Sequence, residues 1–125
     1  MAYAAAARRG DVLPVCLRLA SLRREAAWTA RLELVQHVGP ACKPETLDRA
    51  VELMPEAPEP RLLRAGRSLA AASVAPSAST RDAWLAYAHR DVVEAARLDP
   101  MDATARVMLA DLVGSSAWAV AARAA

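Results

Sequence analysis

Arg61, Arg64 and Arg67 recur at every third residue, so a helix carries them along one side. A row of guanidiniums suits carboxylates, because each planar fork can donate two parallel hydrogen bonds. The chemistry it favours is recognition of an acidic peptide segment or a C-terminal carboxylate. A second basic group, Arg8, Arg9, Arg18, Arg23, Arg24 and Arg31, lies toward the N-terminus and is of the type that contacts phosphates. Stacking aromatics are sparse there and no recognition-helix pattern accompanies them. That combination argues against a nucleic-acid partner and for a solvated basic face.

Covalent and metal chemistry find less support. His89-Arg90-Asp91 has the letters of a kinase catalytic loop, but Ala96 stands where that loop needs Asn, and no glycine-rich phosphate loop exists. His37 and His89 are the only histidines, and neither has a second histidine or a cysteine one helical turn away. Cys16 and Cys42 are too few for a disulfide framework and lack zinc-type spacing. They are expected to be small apolar fillers in a reducing cytoplasm. The expectation is therefore no catalytic residue, no metal and no cofactor. An enzyme would need a deep pocket holding a histidine or cysteine with a strongly shifted pKa.

These side chains must be positioned by some scaffold, and composition limits what it can be. The chain has 125 residues, the size of one domain with a single core. Hydrophobic residues make up 55 %, but 32 positions are alanine, and phenylalanine and isoleucine are absent. Alanine is the best helix former and buries little area. The composition therefore favours helices packed closely through small side chains. The net charge of +2 exerts no strong pull on nucleic acid or anionic membrane. Its distribution is uneven: residues 1–43 sum to +4 and residues 44–60 to −4. No segment reads as a signal peptide or as a membrane span, so the protein is expected to be cytoplasmic.

Residues 2–9 read as a short helix ended by Gly10, with Asp11 as the cap of the next. That next helix places Val12, Leu13, Cys16, Leu17 and Ala20 at helical spacing. Residues 21–25 (SLRRE) fit either a turn or continuous helix. Trp28, Leu32, Val35 and Val38 form another apolar stripe, stopped by Gly39-Pro40. A helix over residues 44–54 opens on Pro44 and shares a face among Leu47, Ala50, Val51 and Met54. Residues 55–60 hold three prolines and read as a link. A helix over residues 60–73 follows, with Leu62, Leu63, Ala65, Gly66, Leu69 and Ala70 on its apolar side. Ser79 and Asp82 have the spacing of a capping box for a fifth helix to Leu98, with Trp84, Tyr87, Ala88, Val92 and Ala95 on its core stripe. Asp102 can cap a sixth, whose apolar residues are Val107, Met108, Leu109 and Leu112. Residues 117–124 can form one more, with Trp118 folded back over the sixth. The class is all-α with about six to seven helices, in one domain over residues 1–125.

Residues 95–100 (AARLDP) echo residues 50–55 (AVELMP), 45 positions earlier. In both, a helix ends at Leu-x-Pro and the next starts within a few residues, which forces antiparallel neighbours. This pattern resembles the tetratricopeptide repeat. Ala95 and Pro100, and Ala50 and Pro55, match the end of that family's second helix. Leu109-Ala110 match its adjacent large and small residues, and Ala65-Gly66 stand near that pair with one extra residue. Arg106 occupies the place of the family's aromatic, and the spacing exceeds the family's period of about 34 residues. The chain is also similar to alanine- and arginine-rich tetratricopeptide-like proteins of actinobacteria. The resemblance covers residues 44–125, while residues 1–43 match no repeat. It implies a short, irregular α-solenoid of antiparallel helix pairs. Small residues at Ala50, Ala65, Gly66, Ala88, Ala95 and Ala110 are then expected where helices approach closely.

The function implied is a protein–protein interaction or scaffold module, with Arg61, Arg64, Arg67 and Arg106 as charged contacts to a protein or peptide. A second reading is a self-assembling subunit, a homodimer with Trp118 at the contact.

Overall fold

A computed structural model describes residues 12–25 and 27–113. Among these residues six α-helices follow one another: α1 (Leu13–Arg24), α2 (Trp28–Val38), α3 (Pro44–Leu53), α4 (Pro58–Ser73), α5 (Ala78–Leu98) and α6 (Ala103–Val113). A 3₁₀ turn (Gly39–Ala41) follows α2. The class is all-α, as composition and periodicity require. Among the described residues there is no strand, and no helix is long and apolar enough to cross a membrane. The expected helix at residues 2–9, the Asp11 cap, the helix at residues 117–124 and Trp118 lie outside the described residues.

Local chemistry sets most of the boundaries. Pro44 and Pro58 open α3 and α4, where the missing N–H costs nothing. The helix α4 therefore begins two residues before the expected Pro60. Asp102 caps α6: its Oδ1 accepts from the backbone N–H of Thr104 at 3.0 Å and of Ala105 at 3.3 Å. The cap of α5 is Ser77, whose Oγ accepts from Thr80 N–H at 3.1 Å, and not Ser79. Both serines precede a polar residue by three, and the chain uses the earlier one. SLRRE proves helical through Arg24, with Glu25 as the cap residue.

The long helix α4 is central and packs against α1, α2, α3, α5 and the 3₁₀ turn. The four-residue link between α4 and α5 makes them an antiparallel pair. The last described helix, α6, packs on α5 and also reaches α2. Stacking of neighbouring repeats alone would leave segments this remote in sequence apart.

The core is Val15, Leu19, Val35, Val38, Leu47, Leu62, Leu63, Ala65, Val92 and their neighbours. Several expected stripes are rotated. In α1 the inner face is Val12, Val15, Cys16, Leu19 and Leu22, while Leu13 and Leu17 are exposed. In α5 Ala88, Val92 and Ala95 are buried, but Trp84 and Tyr87 are exposed. In α2 Val35 and Val38 are buried, and Trp28 is exposed. Ala50, Ala65, Gly66, Ala88 and Ala95 are buried as expected, whereas Ala110 is exposed. The closest approach joins the end of α2 to α4. A Cβ added at Gly66 would lie 2.5 Å from the Val35 carbonyl oxygen, and one added at Gly39 would run into the Leu63 carbonyl.

One arginine lies inside this core. Arg31 of α2 is 1 % exposed. Its Nη1 donates to Asp102 Oδ1 at 2.6 Å, its Nη2 to Glu59 Oε2 at 3.2 Å, and its Nε to the Leu19 carbonyl at 3.1 Å. Arg23 of α1 bridges Glu59 at 2.9 Å and Asp99 at 3.0 Å. The result is an alternating chain, Asp99–Arg23–Glu59–Arg31–Asp102, that ties α1, α2, the first turn of α4 and the α5–α6 link together. Two members of the N-terminal arginine group, read from sequence as a solvated basic face, are therefore internal counter-charges. Part of the charge asymmetry between residues 1–43 and 44–60 is neutralised here, within the fold.

Candidate functional site

A groove of about 460 Å³ lies where α3, α4 and α5 meet, within the ~300–1,000 Å³ usual for ligand sites. Helical spacing builds each wall. On α4, Arg64, Arg67 and Ser68 share a face. On α5, Trp84, Tyr87 and Asp91 recur at three- and four-residue steps, with Arg90 beside them; Pro44 and Asp48 of α3 complete the lining.

Its aromatic part is Trp84 and Tyr87, whose ring centroids stand 6.0 Å apart with planes tilted by 54°, a normal aromatic pair. The guanidinium carbon of Arg90 lies 5.4 Å from the Tyr87 centroid, inside the range of a cation–π contact. Tyr87 and Arg90 are both exposed. The groove thus presents two ring faces and an accessible cation on one helix.

Its polar part is more constrained. Arg64 forms a bidentate pair with Asp91, Nε to Oδ2 at 2.9 Å and Nη2 to Oδ1 at 2.7 Å. Its Nη1 donates to Asp48 Oδ1 at 3.1 Å. The bond to Asp91 raises the Arg64 pKa above its ordinary value, against the opposing effect of burial, and the Asp48 contact adds to the rise. Arg67 Nη1 donates to the carbonyls of Pro40 at 3.2 Å and Cys42 at 2.8 Å, holding the 3₁₀ turn against α4. Arg61 Nη1 donates to the Pro55 carbonyl at 2.7 Å.

The arginine row accordingly divides. Arg64 and Arg67 line the groove, each already bound to other parts of the chain. Arg61 lies in an adjoining depression that includes Glu94. Arg106 is exposed on α6, away from the groove, and Trp118 lies outside the described residues. Sequence reasoning missed Trp84, Tyr87 and Arg90 as groove residues because large aromatics at helical spacing read as core. The available signal was Arg90, three residues past Tyr87 on the same stripe.

Both cysteines are buried free thiols. Burial raises Cys16 to about 12, with Glu59 and Cys42 adding to the rise. Burial raises Cys42 to about 11, with Arg67 opposing it. These shifts favour the protonated, unreactive form. Among the described residues, no group of three or more His, Cys, Asp or Glu side chains is placed to hold a metal ion. A second, more apolar groove of about 610 Å³ lies between α1 and α3, with Leu13 and Leu53 at its edge.

No protein-family model, no curated protein and no solved structure matches this chain.

Proposed function

We propose that this protein is a non-enzymatic interaction module that binds a peptide segment of a partner protein in the α3–α4–α5 groove. The observation that carries the reading is the exposed Trp84–Tyr87 pair with Arg90 stacked on it, beside the Arg64–Asp91 pair. Exposed aromatics and arginines are the residue types that dominate binding energy at protein interfaces. Arg67 acts by shaping the groove, whereas Arg90 and the Arg64 edge turned away from Asp91 are the cations that meet the partner. The raised pKa values of the two thiols, and their burial, support a structural role for both. The tetratricopeptide-like resemblance supports the same class of function by analogy.

The test is a selection of random peptides displayed on phage, run in parallel on the wild type and on Tyr87→Ala/Arg90→Ala. Both substituted residues are exposed, so the variant should retain the wild-type circular dichroism and melting curve. Peptides that bind the wild type and lose about tenfold or more in affinity on the variant are expected. Binders indifferent to the variant would place recognition elsewhere and overturn the reading.

A further inference from the structure

We infer that Asp48 is a built-in competitor in the groove, a carboxylate of the chain's own that occupies the place of an acidic residue of the ligand. This rests on the groove being the binding site. Arg64 has two donor edges in use, and they differ. The edge toward Asp91 carries two short bonds to a carboxylate that is 11 % exposed. The third nitrogen, Nη1, donates to Asp48 Oδ1 at 3.1 Å, and that carboxylate is 62 % exposed on the opposite wall. Exposed ion pairs are weak and exchange readily with solvent or a competitor. A carboxylate arriving from solution can therefore take over Nη1 while Asp91 keeps the guanidinium in position.

The rest of the lining selects the same ligand. Three guanidiniums, Arg64, Arg67 and Arg90, face two carboxylates, Asp48 and Asp91. The single positive excess suits one acidic side chain, while both aspartates repel a run of phosphates. Trp84 and Tyr87 offer ring faces to an apolar neighbour of that acid. The ligand is thus a peptide segment with an Asp or Glu beside an apolar residue, and Asp48 lowers its affinity by competing for Arg64.

Two display libraries of random peptides, identical except for a central Asp in one and Asn in the other, test this. Each is panned on the wild type, on Asp48→Asn, on Glu52→Gln and on Tyr87→Ala/Arg90→Ala. Glu52 is an exposed carboxylate of the same helix, outside the groove, and controls for a general change of charge. The Asp library is expected to enrich over the Asn library on the wild type. Removing Asp48 should raise that preference by about threefold, and Glu52→Gln should leave it unchanged. An equal preference on the wild type and on Asp48→Asn, with binding still lost on Tyr87→Ala/Arg90→Ala, would overturn the competitor and leave the groove intact. Enrichment of neither library in a groove-dependent way would overturn the groove itself. Tighter binding of a labelled oligodeoxythymidine, improved by Asp48→Asn, would replace the acidic peptide with a nucleic acid.

Discussion

Arg31 and Asp102, separated by 71 residues in sequence, form a hydrogen-bonded ion pair of 2.6 Å in which each side chain is 1 % exposed. The same Asp102 Oδ1 caps α6, so one oxygen joins α2 to the start of the last described helix. Asp102 Oδ2 is buried without a hydrogen-bond partner among the described residues, so the contacts at Oδ1 are the ones that compensate for burying the carboxylate there.

Arg31→Met should lower unfolding stability by about 3–5 kcal/mol, because it strands the buried Asp102 carboxylate and leaves Glu59 with Arg23 alone as its counter-charge. Urea denaturation followed by circular dichroism measures it. A loss below about 1 kcal/mol, the range of an exposed pair, would show that the cluster is hydrated.

Gly66→Ala should be destabilising although it lies inside a helix, where alanine normally gains about 1 kcal/mol over glycine. The new methyl would meet the Val35 carbonyl oxygen at 2.5 Å, and overpacking of this kind costs about 1–3 kcal/mol. A higher melting temperature for the variant would mean that α2 and α4 are less tightly apposed.

Ser77→Ala should cost about 1 kcal/mol through loss of the α5 cap, and Ser79→Ala should be close to neutral. Melting curves of the two variants decide between the serines.

The thiols give a pH dependence on the alkaline side. Both pKa values are raised by folding, from 9.0 to about 12 for Cys16 and to about 11 for Cys42. The unfolded chain therefore releases these protons first as pH rises. Their contribution is intact below about pH 9 and is then lost at up to about 1.4 kcal/mol per pH unit for each thiol. The wild type should lose stability relative to Cys16→Ala/Cys42→Ala between about pH 9 and about pH 11. Parallel curves for the two proteins would show that the thiols are solvated.

The helical class and several helix limits were legible because local chemistry writes them: Pro44, Asp102 and the Gly39-Pro40 stop act within a few residues of their effect, whereas Pro58, one of three prolines in six residues, read as part of a link. The identity of the inner faces was less so. In α1, leucines surround the helix, and Leu13 with Leu17 mimic a core stripe that Val15 and Leu19 in fact supply. Arg31 stands one turn before Val35 and two before Val38, on the buried face, but hydrophobic periodicity assigns arginine to water. Its partners Glu59 and Asp102 lie 28 and 71 residues away, so no local pattern marks them. In the candidate site the row at Arg61, Arg64 and Arg67 drew attention to the right helix. What it could not reveal is that Asp91, Asp48 and three backbone carbonyls already engage those guanidiniums, which shifts the exposed contact to Arg90.

The most direct test of the groove is a ¹H–¹⁵N spectrum of the isotope-labelled protein, titrated with the tightest peptide from the display selection. The indole N–H of Trp84 and the backbone signals of Tyr87, Arg90 and Ser68 are expected to shift in a saturable way, with little change elsewhere. Shifts confined to Leu13, Leu53 and Met54 would move the binding surface to the groove between α1 and α3 and contradict the function proposed for α5.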